Sequence, residues 1–146
     1  MANPSTFFTK EEKLEILKAI QTAEKNTSGE VRVHIENSCK ENELDRAAYW
    51  FSELKMHQTE QRNGVLFYLA INDRKFAILG DIGINAKVEN DFWDSTKELV
   101  LGFFKEGKYA QGLGVGIIQA GLQLQKYFPY QSDDVNELSD EISFGK

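Results

Sequence analysis

Cysteine is nearly absent from this sequence: Cys39 is the single one in 146 residues. A lone thiol excludes an internal disulfide and any zinc site assembled from several cysteines. Histidine is almost as scarce, with His34 and His57 only, which removes histidine-rich zinc chemistry. No basic run is present and the net charge is -6, so nothing offers to neutralise a phosphate backbone, and nucleic acid is excluded as a partner. No apolar run approaches the roughly 18 residues of a membrane span. The opening segment "MANPSTFFTKEEK" reaches charged residues too early for a signal-peptide core. Neither a Gly-Lys-Ser/Thr phosphate loop nor a Gly-Xaa-Ser-Xaa-Gly elbow occurs. These absences predict a soluble, cytoplasmic protein with no membrane partner and no familiar nucleophile.

What is present suits one globular domain over residues 1–130, followed by a polar, acidic tail over 131–146. Thr9 and Glu12 form a capping-box pattern that opens a helix fading near Asn26, with Leu14, Leu17, Ile20 and Ala23 at helical spacing and Ile16 flanking them. "GEVRVHIEN" alternates, with Val31, Val33 and Ile35 on one face and Glu30, Arg32, His34 and Glu36 on the other, as a strand near a sheet edge does. Leu44, Ala47, Ala48, Phe51 and Leu54 mark a second helix. "NGVLFYLAI" (63–71) is almost wholly apolar, the pattern of a central strand covered on both faces. Asn72-Asp73 turns the chain, and "RKFAILG" (74–80) returns as a hairpin partner. Asn90 is the expected cap of a third helix carrying Phe92, Trp93, Thr96, Leu99, Val100 and Phe103, which Gly107 ends. Leu113, Ile117, Ala120, Leu124 and Phe128 define a fourth. The Gly-Xaa-Xaa-Xaa-Gly at 112–116 sits in this amphipathic helix and predicts close packing rather than membrane dimerisation. The order αβαββαα predicts an α/β fold, a three-layer α/β/α sandwich with a small mixed sheet.

That topology gathers polar groups at the rim where the two parallel strands begin. Ser28, Gly29 and Glu30, Arg62, Asn63 and Gly64, and the loop "LGDIGIN" (79–85) converge there, with Asn90, Asp91 and Asp94 close by. Glu30, Asn63, Asp81, Asp91 and Asp94 are therefore candidate oxygen ligands for a hard divalent cation. The competing reading makes Asp81 a turn cap and leaves Asp91 and Asp94 as acidic residues at a helix start. The opposite rim gathers Glu36, Asn37, Asn72 and Asp73 at the carboxyl ends of the parallel strands, where turn chemistry accounts for Asn72-Asp73. His34 is expected to be a half-exposed partner to a carboxylate. It cannot share an ion with Glu30, because four strand residues span roughly 13 Å.

Three segments carry a family resemblance: "TSGEVRVHIE" (27–36), "RNGVLFYLAINDRKFAILGDIGINAKV" (62–88) and "FFKEGKYAQGLGVGI" (103–117). They resemble the TPM domain, the thylakoid-lumen acid-phosphatase and photosystem-repair type domain that also occurs as a stand-alone bacterial form. The resemblance implies an α/β/α sandwich and calcium or magnesium held near acidic loop residues. It also implies acid phosphatase activity, as in plant members, or a role in repair and complex assembly. Asn63, Gly64, Gly80 and Gly83 match the family pattern; Asp81 stands where many members are uncharged, and Asp91 or Asp94 falls near a family aspartate. The leading expectation is a divalent-cation-binding domain with little or no catalysis. The alternatives are a metal-dependent acid phosphatase and a protein-interaction module using the acidic stretch "DDVNELSDE" (133–141) on an unidentified protein partner.

Overall fold

The capping box at Thr9 sets the first long helix. In the computed structural model, which describes residues 4–130 and 142–145, Thr9 Oγ1 accepts the Glu12 N–H at 3.1 Å and the Glu12 carboxylate accepts the Thr9 N–H at 2.9 Å. Helix α2 runs Lys10–Asn26, preceded by a single turn, α1, at Pro4–Phe7. Strand β1 (Glu30–Glu36), helix α3 (Glu43–Glu53) and a 3-10 turn at Met56–Gln58 follow. Strands β2 (Gly64–Ala70) and β3 (Lys75–Gly80) form the hairpin, and a one-turn helix, α4, occupies Ile82–Asn85. Helices α5 (Asp94–Lys105) and α6 (Tyr109–Gln125) complete the expected series, and a two-residue strand, β4, lies at Ser143–Phe144.

The sheet order is β3-β2-β1-β4, with β1 parallel to β2 and to β4 and with β3 antiparallel to β2. On one face, Val31, Val33, Ile35, Val65, Phe67 and Leu69 pack against Ile16, Ile20 and Ala23 of α2 and Leu113, Ile117 and Leu124 of α6. On the other, Leu66, Tyr68, Ala70 and Ala77 pack against Ala47 and Phe51 of α3 and against Met56. Each fully buried Ile or Leu contributes about 1.5–3 kcal/mol of transfer free energy. The three-layer α/β/α sandwich with a mixed sheet is thus the observed fold.

Several local expectations shift. The buried stripe of α2 is Ile16, Ala19, Ile20 and Ala23, and Leu14 is exposed, because α6 crosses the helix on that side. Asn90 does not cap α5: Trp93 stands at that position, without a side-chain cap bond. Strand β1 does lie near the sheet edge, with only the two-residue β4 outside it, at His34 and Ile35. The small residues of α6 do serve close packing: a Cβ on Gly121 would lie 2.8 Å from the Cα of Ala23.

Candidate functional site

Strand register decides which residues meet at the rim. Glu30 stands opposite Gly64, and the Asp81 N–H donates to the Gly64 carbonyl at 3.0 Å. Glu30, Gly64 and Asp81 therefore form one lateral row on the α3 face, with a residue lacking a side chain at its centre. At about 4.8 Å per strand the two acidic Cα atoms are roughly 10 Å apart. Asn63 clamps the row: its carbonyl accepts the Glu30 N–H at 3.3 Å, and its Nδ2 donates to the Ser28 carbonyl at 3.3 Å. Glu30, Asn63 and Asp81 are all buried, so the fold brings these three predicted residues together. Asp91 and Asp94 instead lie exposed at the head of α5.

Asp81 has two further partners. Arg62 donates to both carboxylate oxygens, Nε to Oδ2 at 2.8 Å and Nη2 to Oδ1 at 2.9 Å. Oδ1 also accepts the Ile82 N–H at 2.8 Å, which caps α4. The hydrogen bonds to Asp81 hold Arg62 above its ordinary pKa. Its side chain is 40% exposed against 4% for Asp81, so the guanidinium is the outer lid on an inner carboxylate. Arg62 takes a left-handed φ of 51°, and its carbonyl accepts the Gly83 N–H at 2.9 Å. A Cβ on Gly83 would collide with the Gln61 and Arg62 carbonyl oxygens. "LGDIGIN" is therefore first a corner, with glycine required by backbone approach.

Does this row suit a hard cation? Its donors are oxygens, as calcium and magnesium require. Among the described residues, however, no group of three or more His, Cys, Asp or Glu is placed to hold a metal. The row is not a preformed cage, and an ion there would have to share Asp81 with Arg62.

The opposite rim is more elaborate than its sequence suggested. Glu36, buried, accepts from Arg46 Nε at 2.8 Å and Nη2 at 3.0 Å, from Trp50 Nε1 at 3.2 Å, and from the Tyr68 hydroxyl. Burial works to raise the Glu36 carboxyl, but the Arg46, Tyr68 and Trp50 hydrogen bonds and the Arg46 charge outweigh it and hold it below its ordinary value. Burial, reinforced by the Glu36 hydrogen bond, pushes the Tyr68 hydroxyl upward. His34 corrects the expectation of half exposure: it is fully buried, stacks on Trp50 at 3.9 Å and meets the Ser143 hydroxyl through Nδ1 at 2.8 Å. Desolvation lowers its pKa to about 4, against a smaller raising effect of Glu36. Asp73 accepts the Cys39 N–H at 2.6 Å, and the Asn37 carbonyl accepts the Asn72 N–H at 2.7 Å, so these residues tie the loop down. Beside them lies a shallow recess of about 470 Å³ lined by Ser38, Lys40, Glu41 and Arg46. Arg46, Trp50 and Tyr68 were missed as site residues. Arg46 and Trp50 are four apart and share a helix face, which was a readable signal, whereas Tyr68 is hidden within an apolar strand.

Fold and rims together define an α/β/α sandwich whose acidic groups are gripped by arginines at both ends of the sheet. The TPM domain profile matches residues 2–122, and the chain belongs to that family. It is similar to the BA42 protein of the psychrophilic bacterium Bizionia argentinensis, with 48% identity and a TM-score of 0.91 over 99% of this chain and 100% of that one. The N-terminal domain of a P. gingivalis protein shares the fold at 13% identity, with a TM-score of 0.70 over 87% of this chain and 83% of that one. The N-terminal domain of a Corynebacterium glutamicum protein does so at 11% identity, with a TM-score of 0.61 over 96% and 81%. No curated protein matches. Among the described residues, no helix is long and apolar enough to cross a membrane.

Proposed function

We propose that this TPM domain binds a divalent cation, calcium or magnesium, at the Glu30–Gly64–Asp81 row, with little or no catalysis. One observation carries the reading: two buried carboxylates from distant segments share a sheet face across a glycine, with Asn63 alongside. Glu30, Asp81 and the Asn63 amide would hold the ion, and Asp91 and Asp94 would add negative potential at the surface. When bound, the ion supplies a double positive charge to the paired carboxylates. Arg62 supplies the charge otherwise, from a half-exposed position that it can leave for water. Affinity is then a difference between two cations competing for Asp81.

In the metal-dependent phosphatase alternative, the ion held by Glu30 and Asp81 would polarise a phosphoryl oxygen, and turnover is what separates it from a pure binder. The interaction stretch 133–141 lies outside the described residues. Following backbone amide shifts during calcium and then magnesium titration tests the proposal. Residues 28–30, 62–64 and 80–82 are expected to move together, with no turnover of an aryl phosphomonoester at mildly acidic pH. Shifts confined to 36–37 and 72–73, or none, would overturn it.

A further inference from the structure

Helix α6 carries no charged residue between Tyr109 and Gln125, in a chain of which 27% is charged. Its outer face is nonetheless in water. Gln111, Val115, Ile118, Leu122 and Gln125 recur there at alternating steps of four and three, the spacing of a seam that packs against another helix. Leu122 is 54% exposed and Ile118 36%, and apolar surface depleted of charge is the composition of an interface centre. Beside this seam a recess of about 230 Å³ opens between α6 and α2, floored by Gly114 and Ala19 and edged on α2 by Glu15, Lys18 and Thr22. The two helices run in the same direction, since Gly114 faces Ala19 and Gly121 faces Ala23.

Projection and recess are evenly placed about one residue. Gly114 lies one turn before Ile118 and Leu122 one turn after it, each about 6 Å along the helix axis. We propose that α6 is the two-fold contact of a homodimer, packing antiparallel on its copy beside Ile118, with each Leu122 entering the other copy's Gly114 recess. Such a contact is self-complementary, as a two-fold interface must be. Charge complementarity makes the occupant a second copy. Lys126 follows Leu122 by one turn, Glu15 precedes Ala19 by one turn on α2, and both are exposed. The arrangement that seats Leu122 therefore carries its Lys126 toward the other copy's Glu15, twice per dimer. The Gln111 and Gln125 amides, donors and acceptors alike, come level with each other in the same arrangement. The seam is short, so the association is weak. This surface belongs to the α2–α6 layer and stands apart from the cation row on the α3 face.

Sedimentation equilibrium of the full chain over a dilution series tests this. The wild type is expected to show a reversible monomer–dimer equilibrium. Leu122→Glu should raise its dissociation constant at least about 10-fold, since each dimer holds the change twice. Gly114→Ala narrows the recess while leaving the fold intact, because the added Cβ would stand 3.8 Å from the Ala19 Cβ, and it should weaken the dimer by a smaller factor. Glu15→Lys and Lys126→Glu should each weaken it roughly threefold. The chain carrying both swaps should return to the wild-type constant. A wild type that stays monomeric throughout the series, whatever else this face binds, would overturn the proposal. So would a dimer indifferent to Leu122→Glu, or a double swap no stronger than either single one.

Discussion

The two ends of the sheet each hold a carboxylate gripped by both nitrogens of an arginine fork, yet the two pairs are built differently. At the strand starts, Arg62 reaches Asp81 from solvent, and the carboxylate's remaining duty is to cap one short helix. At the strand ends, Glu36 is 3% exposed and serves four donors, one of them the Trp50 indole, which stacks on His34. Both arginines are partly exposed, 30% at Arg46 and 40% at Arg62, over carboxylates 3% and 4% exposed; what differs is that Glu36 takes two further side-chain donors, Trp50 and Tyr68. The comparison makes Glu36 the more tightly tied node and leaves Asp81 as the carboxylate of the proposed ion exchange.

The sharpest way to break that contrast is to remove each carboxylate. Glu36→Ala strips the partner from Arg46, Tyr68 and Trp50 together and is expected to cost about 3 kcal/mol, the lower end for breaking a buried pair because Arg46 stays partly hydrated. Asp81→Ala loses the α4 cap, worth about 1 kcal/mol, and a pair that water already screens. Urea unfolding of both variants measures the ranking. Equal losses would erase the distinction between the rims.

Acid sharpens the same comparison. His34 is neutral in the fold, with its pKa lowered from 6.5 to about 4, so between those values the unfolded chain binds the extra proton. Stability therefore falls as pH drops through that window, by on the order of 3 kcal/mol in all, and this group contributes no further loss below it. The groups that face the ring are Glu36 and Arg32 on its own strand, Arg46 from α3, Tyr68 from β2 and Ser143 from β4. Glu36, held below its ordinary 4.5, adds a second loss only at lower pH. A His34→Gln chain should lack the slope between pH 6.5 and 4 in urea midpoints. Retention of the slope would move its origin elsewhere.

The layers were legible because hydrophobic periodicity reports burial directly. The stripe Leu113, Ile117, Ala120, Leu124 and the unbroken apolar run of β2 could be satisfied only by cover on the faces where cover is found. Strand direction was legible too, since one hairpin and one crossover left few ways to arrange three strands. What escaped was chemistry carried by tertiary approach. Strand alternation marked Glu36 and His34 as a wet face, but α3 and the returning tail bury them. Arg62 stood among the rim residues, but its fork on Asp81 depends on a left-handed backbone that composition does not announce. Strand β4 had no signal, because two residues carry no period.

The smallest expected effect tests the exchange itself. Arg62→Gln keeps a side chain suited to hydrogen bonding at this left-handed position but removes the charge that competes for Asp81. Calcium should then bind more tightly, by roughly two- to fivefold, since an ion pair open to water contributes little. Arg62→Lys, a point charge without the planar fork, should fall between. In the wild type, the Arg62 Nε–H signal should move toward its free position as calcium saturates the row. Unchanged affinity in Arg62→Gln would mean that the ion does not use Asp81. Weaker binding would mean that Arg62 organises the rim rather than competing for it. An absence of binding in all three chains would instead remove the cation, because a competitor's loss cannot abolish a site that exists.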